Sequence, residues 1–102
     1  MADTDVTVRH NDELHRIEAV LEDGRVAGYA EYRSTEEGYY DFTHTEVDDA
    51  FEGQGIGSRI ARGVVEFARA NSVNIVPSCP FQRSWLKRHP EEQDLLAPGA
   101  EV

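Results

Sequence analysis

The sequence predicts an α/β chain of the α+β type: a mixed sheet of about five strands, an antiparallel meander followed by a strand-helix-strand crossover, with two to three helices. Three observations carry this. Apolar and polar residues alternate on both sides of Asp23-Gly24, a strong hairpin signal. Residues 39–47 form a β-branched and aromatic run, and residues 56–68 place apolar side chains at helical spacing just before a short apolar run at 73–76. With 102 residues and no internal repeat, the chain is expected to form one domain over 1–102, with its core at about 6–96 and a tail at 97–102.

Val6 and Val8, with the stretch through His10, read as a first strand, and Asn11-Asp12-Glu13 as a polar turn. Ile17, Ala19 and Leu21 alternate with Arg16, Glu18 and Glu22 as a strand's two faces would. After Asp23-Gly24, Val26, Gly28, Ala30 and Tyr32 resume the alternation. Glu36-Glu37-Gly38 turns the chain into the fourth strand. Ile56, Ile60, Ala61, Val64, Val65, Phe67 and Ala68 form one helical face, with Ser58, Arg59, Arg62, Glu66 and Arg69 opposite. Asn71-Ser72 ends that helix. Residues 73–76 read as a strand that Pro77 stops or places at an edge, and the crossover implies a parallel pair. Pro80 suits the first position of a second helix, which His89-Pro90 ends, and Glu91, Glu92 and Asp94 begin a last short turn.

Composition narrows the function classes. Net charge is −10, with twenty acidic residues against nine arginines and the single Lys87, a field that repels nucleic acid and anionic membranes and favours cationic partners. No apolar run is long enough for a bilayer, and the acidic start lacks the basic-then-apolar pattern of a secretory signal, so a cytoplasmic location is expected. Cys79 is the only cysteine, which excludes an intrachain disulfide and a cysteine-based zinc cluster. His10, His15 and His89 lack metal-ligand spacing, so no metal is proposed.

The loop Glu52-Gly53-Gln54-Gly55-Ile56-Gly57, followed by Ser58, lies between the fourth strand and the first helix. Glycines there let the backbone approach a bound group, and the free N–H groups of the first helical turn favour an anion such as a phosphate. Ser58 stands where a dinucleotide fingerprint needs its third glycine, and no Gly-Lys-Ser/Thr follows. On these residues alone an ordinary turn before a helix is the competing reading. Tyr40, Phe42, His44 and Glu46 share parity, which puts a His44–Glu46 pair on one sheet face near the loop. Imidazole, with a pKa of about 6.5, can take a proton from an ammonium group, with Glu46 orienting it or acting alone. Cys79 precedes Pro80 and is expected at a helix N-terminus, where a thiolate is favoured; a small buried apolar role is the plain alternative.

Residues 6–96 resemble a small, minimal branch of the GCN5-related N-acetyltransferases. The resemblance rests on Phe42-Thr43-His44-Thr45-Glu46-Val47, on Gly53-Gln54-Gly55-Ile56-Gly57, on Val76-Pro77-Ser78-Cys79-Pro80-Phe81 and on Lys87-Arg88-His89-Pro90-Glu91, in that order. It implies acetyl-CoA (CoA) as cofactor and transfer of an acetyl group to an amine of a small molecule or protein. It further implies that Gly53, Gln54, Gly55, Ile56, Gly57 and Ser58 hold the pyrophosphate, that pantetheine lies along the fourth strand near Val47, and that the thioester points toward Cys79. Cys79 would then carry the acetyl group or protonate departing CoA, with His44 and Glu46 handling the amine proton. The chain departs from the family in three places. Glu52 stands where Arg or Gln is usual, and its carboxylate would repel a pyrophosphate unless turned to solvent or to Arg59. Trp85 and Glu92 stand where the small branch often has Tyr, so a tyrosine acid is lost there. These departures keep a CoA-binding or sensor module with little turnover as the rival reading. A monomer or a homodimer formed through an exposed sheet edge is compatible with the sequence.

Overall fold

The computed structural model describes residues 5–102. Residues 1–4, part of the acidic stretch on which the expectation of no secretory signal rests, lie outside them. Strands β1 (Val6–Asn11), β2 (Arg16–Leu21), β3 (Val26–Ser34) and β4 (Tyr40–Val47) follow one another as antiparallel neighbours. Helix α1 (Ile56–Ala70) crosses over, and β5 (Ile75–Pro77) joins β4 in parallel; α2 (Pro80–Lys87) follows. Two 3-10 helices, Asp49–Phe51 and Pro90–Leu95, complete the order. The expected mixed sheet of five strands, with its meander and its crossover, is therefore present.

Local chemistry explains the joins. Gly24 takes a left-handed φ of 92°, closing the β2–β3 hairpin with Leu21 N–H bonded to the Arg25 carbonyl at 2.8 Å. The buried stripe of α1 (Ile56, Ile60, Ala61, Val64, Val65, Ala68) packs in one cluster with Ile17, Ala19, Ala30, Tyr32 and Phe42 of the sheet. Each isoleucine and valine of that stripe contributes about 1.5–3 kcal/mol of burial. Gly28 admits this packing, because a Cβ there would meet Ile60 Cδ1 at 3.0 Å and the Glu46 carbonyl oxygen at 2.7 Å. At the far end of α1, Arg69 bonds Glu92 at 2.7 Å and Asp94 at 2.8 Å, tying the helix to the second 3-10 turn.

The structure adds one feature to the sequence expectations, at Glu18, and differs from them in three. Glu18 is 1% exposed, not solvated, because Arg9, Asn11 and Arg16 enclose its carboxylate. The fifth strand starts at Ile75 and includes Pro77; Ser72 adopts a φ of 53° and the Asn74 amide bonds the Leu95 carbonyl, so the chain is still turning at 73–74. The parity of the fourth strand is broken. Glu31 pairs with His44 but Tyr32 pairs with Phe42, so Thr43 is an extra residue, a β-bulge that reverses the alternation. Tyr40 and Phe42 therefore face the helices, whereas His44 and Glu46 leave the opposite face, and Thr45 and Val47 take the helix side. Lastly, 97–102 begins inside the fold: Ala97 is buried, its N–H bonds the Ile75 carbonyl, and Leu96 bridges Ile75.

Candidate functional site: a glycine loop facing a forked sheet

The glycine loop grows out of the first 3-10 helix, which Asp48 caps by accepting the Ala50 N–H at 2.9 Å. Gly53 and Gly55 take φ values of 79° and 76°, conformations that side chains rarely adopt. Gly55 is the N-cap of α1, and among the described residues no side chain caps the helix. The first bond of α1 runs from Arg59 N–H to the Gly55 carbonyl at 3.2 Å, so the N–H groups of Ile56, Gly57 and Ser58 precede it and are available to an anion. Ile56 contributes through its backbone alone, because its side chain is in the core. Gly57 is covered by the Phe81 ring, whose Cζ would lie 2.8 Å from a Cβ. Glu52 is exposed, and Arg59 bonds the Val6 carbonyl at 2.9 Å, so Arg59 is engaged with β1.

Beyond the loop the sheet forks. Pairing of β4 with β5 stops at Phe42 opposite Pro77, where the Thr43 bulge lies, and among the described residues no strand lies on the outer side of the rest of β4. The Cys79 N–H makes the last link, to the Phe42 carbonyl at 2.9 Å. Cys79 then serves as the N-cap of α2, as expected, with Pro80 in the first helical position. Its thiol is buried and donates to the Thr45 hydroxyl at 3.4 Å. The fork is thus bounded by the outer edge of β4, by Thr45 and Val47 on the helix side, and by the start of α2.

His44 and Glu46 are together, with Nε2 and Oε1 3.6 Å apart, but both are exposed and both leave the face opposite to Thr45 and Cys79. The structure therefore brings together His44 with Glu46, and Cys79 with the helix side of β4, and does not bring the two groups into contact. On the face of His44 stands Tyr29, with ring centroids 6.4 Å apart. Burial first, and then the nearby Glu46 and Glu31 charges, push the Tyr29 phenol above its ordinary range.

Sequence reasoning missed two neighbours of Cys79. Thr45 escaped because the bulge moves it to the thiol's side. Gln82 is wholly buried, and among the described residues neither its Nε2 nor its Oε1 has a hydrogen-bond partner. Such an unsatisfied group costs about 1–3 kcal/mol. Its signal was readable: Gln82, Trp85 and Leu86 recur at helical spacing, so a polar residue sits on the apolar stripe of α2. Trp85 is core, stacked on His89 at 3.8 Å, whereas Phe81 is 38% exposed and lies on Gly57. A groove of about 580 Å³ runs between β1 and α1 past Ser58, Arg59 and Arg62 and shares only Ser58 with the loop. Among the described residues no three His, Cys, Asp or Glu side chains converge as metal ligands would, and no helix is long and apolar enough to cross a membrane.

Comparison with known proteins agrees with this architecture. A solution structure of a GCN5-like protein from Staphylococcus aureus superposes with a TM-score of 0.66 at 25% identity, covering 95% of this chain and 91% of that one. The protein NATD1 of Xenopus tropicalis is 33% identical over 55 residues, which are 54% of this chain and 50% of NATD1. Human NATD1 is 31% identical over 55 residues, 54% of this chain and 49% of its own length, so the matched segment spans about half the length of these relatives. The family model for GCN5-related N-acetyl-transferases matches residues 16–95. Because that match takes in every strand from β2 to β5 and both helices beside the fork, this chain belongs to the GCN5-related N-acetyltransferase family.

Proposed function

We propose that the protein transfers the acetyl group of acetyl-CoA to an amine of a small molecule or protein. The observation that carries this reading is the fork: an unpaired stretch of β4 with a glycine-lined helix N-terminus at one end and a buried thiol at the other. Acetyl-CoA would supply an activated thioester. The N–H groups of Ile56, Gly57 and Ser58, with Gly53, Gln54 and Gly55 shaping the approach, would hold the pyrophosphate. The outer edge of β4 near Val47 would pair with the amide-bearing arm as a strand does. Positioning supplies most of the rate in such a site, because binding fixes the amine and the acyl carbon in one geometry.

His44 and Glu46 take the proton of the incoming ammonium on the open sheet face, and the excess negative charge of the chain draws a cationic acceptor there. Cys79 stands on the other side of β4, where it protonates or relieves the departing thiolate. One observation favours the rival, a CoA-binding module with little turnover: Asp48, Asp49 and Glu52 leave three carboxylates beside the loop. Incubation of the purified protein with acetyl-CoA and a good amine, read by mass spectrometry, separates the two. We expect acetylated amine at a rate that Cys79→Ala reduces at least about tenfold while CoA binding persists. CoA binding without product would establish the module, and an unchanged rate in Cys79→Ala would remove the thiol from the chemistry.

A further inference from the structure

Among the described residues the Gln82 carboxamide makes no hydrogen bond that ties the fold together. It is 0% exposed, and both of its polar atoms lack a partner. Polar groups nearby are already used: the Cys79 carbonyl accepts the Arg83 N–H, the Pro77 carbonyl accepts Arg83 Nε, and the Leu86 carbonyl accepts the side chain of Gln93. Gln93 shows what a structural glutamine does here. Gln82 stands three residues after Cys79, so its side chain rises from the same face of α2, about 4.5 Å further along the axis.

We propose that Gln82 binds the amide of the CoA arm that lies nearest the thioester. The assignment rests on the acetyl-CoA reading above. A carboxamide offers an N–H donor and a carbonyl acceptor, and a secondary amide offers the same pair in reverse, so the two can bond reciprocally. In CoA two methylene groups separate the sulfur from its first amide, a span of the same size as the offset between Cys79 and Gln82. A thiol-side sulfur therefore places that amide beside Gln82. An amide with no partner in the protein gives up no protein hydrogen bond when its ligand arrives, so the bonds it forms count toward binding. Entry of the arm widens the fork where Cys79 links to Phe42 and Thr45 at the start of α2.

The test is calorimetry on the intact chain with CoA and with 3′,5′-ADP, which lacks the arm, together with thermal melts without ligand. Gln82→Leu removes the carboxamide at similar volume; Gln82→Met keeps the unbranched shape and takes its place if the leucine variant does not fold. We expect the variant to melt higher than the wild type without ligand, to bind CoA about tenfold more weakly, and to bind 3′,5′-ADP as before. Undiminished CoA affinity in a folded variant overturns the assignment and leaves Gln82 as the holder of a buried water. Equal losses for CoA and 3′,5′-ADP overturn it too, as a general distortion. A wild-type chain that binds neither ligand overturns instead the cofactor reading on which the assignment stands.

Discussion

Glu18 is an ion held inside a sheet face by its neighbours rather than by depth. Arg9 Nε, Asn11 Nδ2 and Arg16 Nη2 reach its two oxygens at 3.2, 3.1 and 2.6 Å, and Arg16 also lies over the Tyr29 ring. Burial alone would raise the carboxyl pKa, but the hydrogen bonds from Arg16, Asn11 and Arg9 outweigh it and hold the group below its ordinary 4.5. A lowered folded pKa means stability that is fully present above the unfolded value and is lost as pH falls through the folded one. Glu18→Gln should therefore melt lower than the wild type at neutral pH, by on the order of 2 kcal/mol, and the gap should close once pH drops well below 4.5. A gap that stays constant across that range would show that shape, not charge, is what the site needs. Alternation along β2 sets Glu18 apart from Ile17 and Ala19 but is silent about the Arg9 guanidinium that arrives from β1.

At the scale of elements, legibility followed the source of each signal. Helix α1 and the β2–β3 hairpin were plain, because helical spacing and Asp-Gly chemistry are local. The Thr43 bulge was not, since it is defined by which residues of β3 lie opposite, and no count along β4 alone reveals it. That single residue explains why the candidate His44–Glu46 pair was found but set on the wrong face relative to Phe42. The glycines divide the same way. Gly28 meets backbone, so Gly28→Ala should push β4 or α1 outward and lower stability by about 1–3 kcal/mol in denaturant unfolding. Gly57 meets only the rim of the half-exposed Phe81 ring, which can swing aside, and Gly57→Ala should stay within about 0.5 kcal/mol of wild type. Equal losses in the two variants would mean that the loop is as rigidly packed as the sheet.

Across the whole molecule, charge sets the tone. A net charge of −10 on 102 residues makes self-repulsion a standing cost of the folded state. Raising KCl from about 0.05 M to about 1 M shortens the screening length to about 3 Å, and the melting temperature should rise. A fall would show that attractive pairs such as Arg69 with Glu92 and Asp94 outweigh the repulsion. The bulge in β4 carries a further consequence at this scale. Because it turns His44 and Glu46 to one face of the sheet and leaves Thr45 with Cys79 on the other, the sheet works as a partition with a slot in it. Two reactants approaching a partition from opposite rooms need not take turns at one door, and neither product blocks the other's exit. Initial-rate plots for the proposed transfer should accordingly show intersecting lines as both substrates are varied, the mark of a ternary complex. Parallel lines would mean that the acetyl group rests on the thiol between two separate visits.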